Sequence, residues 1–206
     1  MYGMPRVSEA HIAKRRRQIL DAARACFARN GFHATSMQEV IREAGLSVGA
    51  VYRYFPSKNE LVAALAEEVV GAVREAFDEI LATEPAVPLA DAMHRAVDVI
   101  EPHTGPDGVL RLAIQVWAEA LRDPGLAKLV EEKYQQMREV FVALARRAIE
   151  TGELPPGTDP EAVGPVLFAT MPGYAVQRIL LGAPEPASYQ AGLAALLPPA
   201  AGPRST

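Results

Sequence analysis

The stretch from Gly31 to Leu61 reads GFHATSMQEVIREAGLSVGAVYRYFPSKNEL and decides the fold of its part of the chain. Ser36 and Glu39 are spaced as a capping box, in which each side chain binds a free backbone donor at a helix start. Gly45 supplies the left-handed residue that ends this helix. A second short helix begins at Ser47 and ends at a proline, which cannot continue it. The pattern predicts two short helices about a tight turn, the proportions of a helix-turn-helix.

Helical periodicity continues through the rest of the chain. Apolar residues recur at three-and-four spacing from Arg17 to an Asn-Gly stop, and again in a long helix that opens at Ser57. Asp123 and Asp159 each precede a proline, which is typical of a helix start. We find no alternating pattern of the kind that indicates a strand. The sequence predicts an all-α fold of about nine helices, including 36–44, 47–55, 89–100, 159–182 and 187–197.

The charge is distributed unevenly along the chain. Residues 1–60 carry ten Lys and Arg against five acidic residues, a balance of +5, and since the whole chain has −4 the remainder carries −9. A basic head on an acidic body is typical of a protein in which only the head meets phosphates. This asymmetry favours double-stranded DNA as a partner of the head.

Composition excludes several other classes of protein. Half of the residues are apolar, so a sizeable core is available. No run approaches the eighteen or so apolar residues of a membrane span, and the start of the chain lacks the apolar stretch of a secretory signal. The single cysteine, Cys26, rules out an internal disulfide and suits a reducing compartment. We expect a cytoplasmic protein that contacts no membrane.

The second short helix has the residue types that DNA recognition requires. In a helix-turn-helix the N-terminal residues of the second helix face base edges in the major groove. Here these residues are small or apolar, which lets the helix sit deep: Ser47, Val48, Gly49 and Ala50. Donors for phosphates and base edges follow at Tyr52, Arg53 and Tyr54, and Lys58 lies at the start of the next helix.

From Arg17 to Leu65 the chain resembles the DNA-binding domain of the TetR family, on the unbroken run quoted above. The resemblance implies phosphate contacts from Thr35, Ser36, Tyr52, Tyr54 and Lys58, and base-facing roles for Ser47, Val48, Gly49 and Arg53. Family members often have histidine where Tyr54 stands, which is a departure from the pattern.

The resemblance also implies the organisation and function of the whole chain. We expect a DNA-binding domain at 1–60, an effector-binding and dimerisation domain at 61–198, and a disordered tail at 199–206. The expected function is a ligand-responsive repressor that binds a near-palindromic operator as a homodimer and is released by a small-molecule effector. We expect no enzymatic activity and no cofactor.

Two sets of residues in the body are candidates for the effector pocket and the dimer interface. Aromatic, thioether and polar residues at helical spacing could line a cavity or form an ordinary core: His94, Gln115, Trp117, Phe168, Met171, Tyr174 and Gln177. In TetR-like proteins the last two helices usually form the dimer interface, for which the candidates are Val163, Val166, Leu167, Thr170, Val176, Leu193 and Leu196.

Several patterns allow a second interpretation. The run from Gly45 to Gly49 also matches a hydrolase nucleophile elbow, which needs a strand before its serine. Residues 14–17, Lys-Arg-Arg-Arg, could be a solvated helix start or a flexible arm that meets DNA. Cys26 is typical of a core residue rather than a redox sensor, and the four histidines have no metal-ligand spacing. Interior prolines at Pro165 and Pro172 predict a bent helix, in which the freed Phe168 carbonyl could face a ligand.

Overall fold

The computed structural model describes residues 9–197, and within that range all regular structure is helical. The nine helices of this range are α1 (Glu9–Ala34), α2 (Met37–Ala44), α3 (Val48–Tyr54), α4 (Lys58–Ala82), α5 (Leu89–Ile100), α6 (Val109–Ala120), α7 (Pro124–Glu150), α8 (Pro160–Leu181) and α9 (Pro186–Leu196). A single 3₁₀ turn, Glu101–His103, follows α5. The predicted all-α class is confirmed. The tail predicted to be disordered, 199–206, lies outside the described residues.

The start and stop signals in the sequence are present as hydrogen-bonded caps. Ser36 and Glu39 form the complete capping box, and Gly45 ends α2 with φ of 63°. The side chains of Asp123 and Asp159 accept bonds from the first backbone N–H groups of α7 and α8. Side-chain acceptors satisfy donors that the helix itself leaves unpaired, which is why these residues mark the boundaries so closely.

Helix α1 differs from the sequence expectation at both ends. It already includes Glu9, so residues 14–17 lie inside a helix, which corrects the alternative of a flexible arm. The Asn-Gly stop is a break within the helix rather than its end. Gly31 has φ of 79°, a left-handed value that favours glycine, and one further turn runs to Ala34.

Two hydrophobic cores hold the helices together. The core of the body consists of residues from α4, α5, α7, α8 and α9, with Phe77, Met93 and Leu144 among the most buried. The core of the head extends beyond residue 60, since Leu61 and Leu65 of α4 and Leu112 of α6 pack into it. The predicted boundary at 60/61 therefore falls inside one continuous core.

Helices α7 and α8 approach closely at one glycine. A Cβ added to Gly164 would lie 2.5 Å from Val142 Cγ2 and 2.8 Å from the Val142 backbone nitrogen and Cα. Because backbone atoms of α7 cannot move aside without shifting the helix, only glycine fits there. Helix α8 continues unbroken through Pro165 and Pro172.

We expect Gly164→Ala to lower the free energy of unfolding by about 1–3 kcal/mol, the usual cost of overpacking a close contact. The matched control is Gly71→Ala in α4, where an added Cβ meets no atom within 4 Å. In the control, the higher helix propensity of alanine should leave stability unchanged or raise it by up to about 1 kcal/mol. Urea denaturation of both variants measures the difference, and equal midpoints would contradict the close contact.

Candidate functional site

Helices α2 and α3 form a helix-turn-helix that is anchored from behind. Val51 of α3 is fully buried, and Phe55, which follows α3, is almost fully buried in the core of the head. The guanidinium of Arg16 lies 4.7 Å above the Phe55 ring, which ties α1 to the end of α3. The Gln18 side chain donates to the last carbonyl of α2, Ala44 O, at 2.8 Å. These contacts fix the orientation of α3 relative to α1 and α2.

The opposite face of α3 is open to solvent. The exposed residues of this segment are Ser47, Val48, Gly49, Tyr52 and Arg53. Ala50 and Tyr54 are half-buried. Val48 is 59% exposed, so its methyl groups are open to a partner. An added Cβ on Gly49 would meet nothing within 4 Å, so the helix start presents a shallow, unobstructed surface.

Ser47 has a structural role and is not positioned as a nucleophile. Its hydroxyl accepts the Ala50 backbone N–H at 3.3 Å and so caps α3. The preceding element is α2, a helix, where a nucleophile elbow would require a strand.

The side chains of Thr35 and Lys58 face inward. Thr35 is 1% exposed, and its hydroxyl donates to Gly31 O at 2.7 Å and to Cys26 O at 3.2 Å. The Lys58 ammonium donates to Phe32 O at 2.8 Å and to Thr35 O at 3.0 Å, and burial lowers the pKa of Lys58. Both residues therefore satisfy the free carbonyls at the end of α1. Ser36 is exposed, with its hydroxyl bonded to Glu39.

A cavity of about 160 Å³ lies in the body between the two cores. Val62, Leu112 and Val116 belong both to its wall and to the core of the head. Residues of α4 to α8 line it: Val62, Ala66, Val69, Val70, Val73, Ala96, Ile100, Val109, Leu110, Leu112, Ala113, Val116, Trp117, Leu129, Val130, Lys133, Tyr134, Met137, Phe141, Phe168, Met171, Pro172 and Ala175. The wall is almost entirely apolar, as small-molecule sites usually are.

Three of the seven predicted pocket residues, Trp117, Phe168 and Met171, lie on this wall. Pro172, which has no N–H to donate to the Phe168 carbonyl, lies there too. Aromatic rings continue along one side of the cavity. The ring centroids of Trp117 and Tyr134 are 6.1 Å apart, and those of Tyr134 and Phe168 are 5.2 Å apart. Tyr134 of α7 lies on the wall as well, although it is not among the predicted pocket residues.

The other four predicted pocket residues lie elsewhere, each held by a polar contact. The Gln115 side chain accepts the Phe32 backbone N–H at 2.7 Å. His94 Nε2 bonds to Gln190 O at 2.8 Å, between α5 and α9. Gln177 is exposed and donates to Gly173 O within α8. These polar side chains form hydrogen bonds outside the apolar cavity. Helical periodicity does not show which hydrogen-bond partner a polar side chain has, so it could not exclude them from the pocket.

Tyr174, the fourth, is fully buried in a polar network with Glu101 and Arg178. Its hydroxyl donates to Glu101 Oε2 at 2.5 Å. Burial, together with the Glu101 carboxylate, raises the pKa of Tyr174 far above its ordinary value. Burial alone would raise the pKa of Glu101, but hydrogen bonds from Arg178 and Tyr174 outweigh it and lower that pKa. The network ties the 3₁₀ turn to α8.

The predicted interface residues divide into exposed and buried members. Val166 and Leu196 are exposed, and Val163, Thr170 and Val176 are half-buried. Leu167 and Leu193 instead pack into the core of their own body. One stripe of α8 is exposed along the whole helix: Ala162, Val166, Ala169, Gly173, Gln177 and Leu180.

Other predicted features have plain structural positions. Cys26 is fully buried in the core of the head, and burial raises the pKa of its thiol. Within residues 9–197, no three His, Cys, Asp or Glu side chains are grouped as a metal site would need. In the same range, no helix combines the length and apolar character needed to cross a membrane.

Comparison with known proteins agrees with this architecture. The family described as "Bacterial regulatory proteins, tetR family" matches residues 19–65, and "BetI-type transcriptional repressor, C-terminal" matches residues 89–198. The HTH-type transcriptional regulator UidR of Escherichia coli K12 is 26% identical over 187 residues, 88% of this chain and 90% of UidR. The HTH-type transcriptional repressor Rv1474c of Mycobacterium tuberculosis is 48% identical over 65 residues, 32% of this chain and 35% of that protein.

A solved structure, Salmonella enterica GusR, superposes with a TM-score of 0.72 at 28% identity and covers 93% of this chain and 98% of GusR. The fold and the open α3 face define a helix-turn-helix transcriptional regulator. The chain belongs to the TetR family.

We expect Lys58→Met, which keeps the methylene stem but removes the ammonium, to lower the free energy of unfolding by about 1.5–3 kcal/mol, the range for hydrogen bonds to a charged group. Lys128→Met is the control, because the Lys128 side chain is 78% exposed and meets only Glu132, at 3.9 Å. Surface changes of this kind usually stay within about 0.5 kcal/mol. Thermal denaturation compares the two, and a Lys58→Met variant as stable as the control would contradict the capping role.

Proposed function

We propose that this TetR-family chain is a cytoplasmic, homodimeric repressor without enzymatic activity. Two copies place α3 in consecutive major grooves of a near-palindromic operator in double-stranded DNA, and a small-molecule effector in the body cavity lowers operator affinity. The observation that supports this most directly is the open face of α3. Ser47, Val48 and Gly49 are exposed at the helix start while Val51 anchors the opposite side.

The proposed DNA contacts follow from the exposure of each side chain. The small residues from Ser47 to Ala50 let the helix start approach base edges, and Val48 offers apolar contact to a thymine methyl. Arg53 can donate to a base edge or a phosphate. Tyr52 and Tyr54 donate to phosphates, which positions the helix without reading sequence. The exposed Ser36 hydroxyl donates to Glu39 in the free protein, and its phosphate contact requires exchange of that bond.

We assign Thr35 and Lys58 a positioning role in DNA binding. Their donors are already engaged by carbonyls at the end of α1. This arrangement fixes Ser36 and the start of α2, which the family pattern associates with phosphate contact. The positive charge of Lys58 still adds to the basic head and to the salt dependence of binding.

The surface proposed for the second copy lies on α8 and α9. Small residues such as Ala162, Ala169 and Gly173 permit close approach of a helix, and Val166 and Leu180 supply apolar contact area. On α9, Leu196 is also exposed and is assigned to the same interface. Exposed apolar side chains that line up along a helix are typical of an interface between subunits.

Coupling between cavity and DNA can run through two helices. α6 has Trp117 on the cavity wall and Gln115 bonded to Phe32 of α1. α4 has Val62 on the wall and Lys58 bonded to the end of α1. An effector that displaces either helix therefore changes the orientation of the head. A coupling free energy of about 1–3 kcal/mol is enough for a 5- to 150-fold change in affinity.

We expect Arg53→Gln to weaken operator binding by about 1–3 kcal/mol, roughly ten- to a hundredfold, as for loss of a base contact. The operator is first obtained by selecting bound DNA from a random library. Arg95→Gln is the control, since Arg95 is also an exposed arginine but lies on α5. Gel-shift titration at one salt concentration should show unchanged binding for the control. Equal affinities of all three proteins would refute the proposed orientation.

Gln115→Ala should loosen the Gly31–Phe32 segment, because it leaves the Phe32 N–H without an acceptor. We expect faster hydrogen exchange of that amide and weaker operator binding. Gln115→Glu retains an acceptor oxygen and should restore both. If exchange and affinity are the same in the alanine and glutamate variants, the α6 route does not couple cavity and DNA.

A further inference from the structure

One charged side chain borders the cavity. Of the described residues on its wall, Lys133 alone carries a charge. Its side chain is only 18% exposed. The ammonium pairs with Glu67 of α4 and also donates to Gln136 Oε1 at 3.3 Å. Ammonium groups are rarely buried without a partner of opposite charge, so this position requires an anion.

The two partners of this ion pair differ in their access to water. The Glu67 side chain is 53% exposed, and Glu67 is not part of the cavity wall. The Glu67 carboxylate can therefore turn fully into solvent without a desolvation cost of its own, provided that another anion takes its place beside Lys133. The Lys133 ammonium cannot turn into solvent in the same way, because its side chain is mostly buried. An anionic group that enters the cavity can take the place of Glu67, whereas a cationic group would be repelled.

The rest of the wall defines the body of such a ligand. From Lys133 to Phe141, α7 rises about 12 Å at 1.5 Å per residue. The other wall residues are uncharged and almost all apolar, among them Val73, Ile100 and Met137. The volume of about 160 Å³ is close to that of an apolar cavity that holds a single aromatic ring. A volume of this size suits a slender tail better than a bulky fused ring system.

We propose that the effector is an elongated, apolar carboxylic acid whose carboxylate pairs with Lys133 in place of Glu67. This inference rests on the proposed function, because it assigns a ligand class to the proposed effector site. Displacement of Glu67 removes this ion pair between α4 and α7 next to the cavity. Since α4 also holds the end of α1 through Lys58, the exchange of partners at Lys133 acts on the helix that orients the head.

Decanoic acid, 1-decanol and decylamine are the probes, because they share a tail and differ in the head group. Calorimetric titration of the full chain at neutral pH should give at least tenfold tighter binding of decanoic acid than of decanol, with decylamine weakest. Lys133→Met should abolish this preference. Glu67→Gln should strengthen decanoic acid binding, because it removes the competing carboxylate. Ala113→Phe, which fills the cavity from α6, should abolish binding of all three, with its folding checked by circular dichroism.

The same probes are added to the operator complex in a gel shift, which separates the possible failures. If decanol binds as tightly as decanoic acid, or if Lys133→Met keeps the preference for acid, the carboxylate assignment is overturned. If decanol nevertheless releases the DNA, the assignment of the cavity as the effector site is still supported. If no probe binds the wild-type chain in the cavity, or if Ala113→Phe binds all three unchanged, the carboxylic acid proposal fails. DNA affinity that no cavity ligand alters would also contradict the proposed effector mechanism.

Discussion

The free carbonyls at the end of α1 are the point on which the orientation of the head depends. A helix end must find partners for carbonyls that the helix leaves unpaired. Here the partner is the Lys58 ammonium, from the start of α4. Next to them, the Phe32 N–H is satisfied by Gln115 of α6. The end of α1, which leads into the helix-turn-helix, is thus held by hydrogen bonds from α4 and α6, two of the helices that line the cavity.

The cavity lies where the core of the head meets the core of the body. Val62, Leu112 and Val116 belong at once to the core of the head and to the cavity wall. Protein interiors are close-packed and transmit small displacements rather than absorbing them. A ligand that presses on this part of the wall therefore acts on the packing of the head directly, without an intervening linker.

The sequence allowed the local features to be predicted and left the long-range ones open. Ser36, Gly45 and Ser47 mark helix ends because capping depends on neighbours a few residues away. The exposed face of α3 could also be inferred, because its residues are neighbours within one short helix. Gln115 and Tyr174 could not be assigned, since their partners Phe32 and Glu101 lie 83 and 73 residues away. Lys133 lies within an amphipathic helix, where a lysine ordinarily indicates the solvent side.

The shared core has a consequence for how this protein can be taken apart. A fragment that ends at residue 60 would lose Leu61, Leu65 and Leu112 from its core and Gln115 from the α1 break. The head therefore shares its core with the body and is not an independent structural unit. A chimera that transplants the DNA specificity of this chain onto another body would have to bring the first two turns of α4 and the matching face of α6 with it.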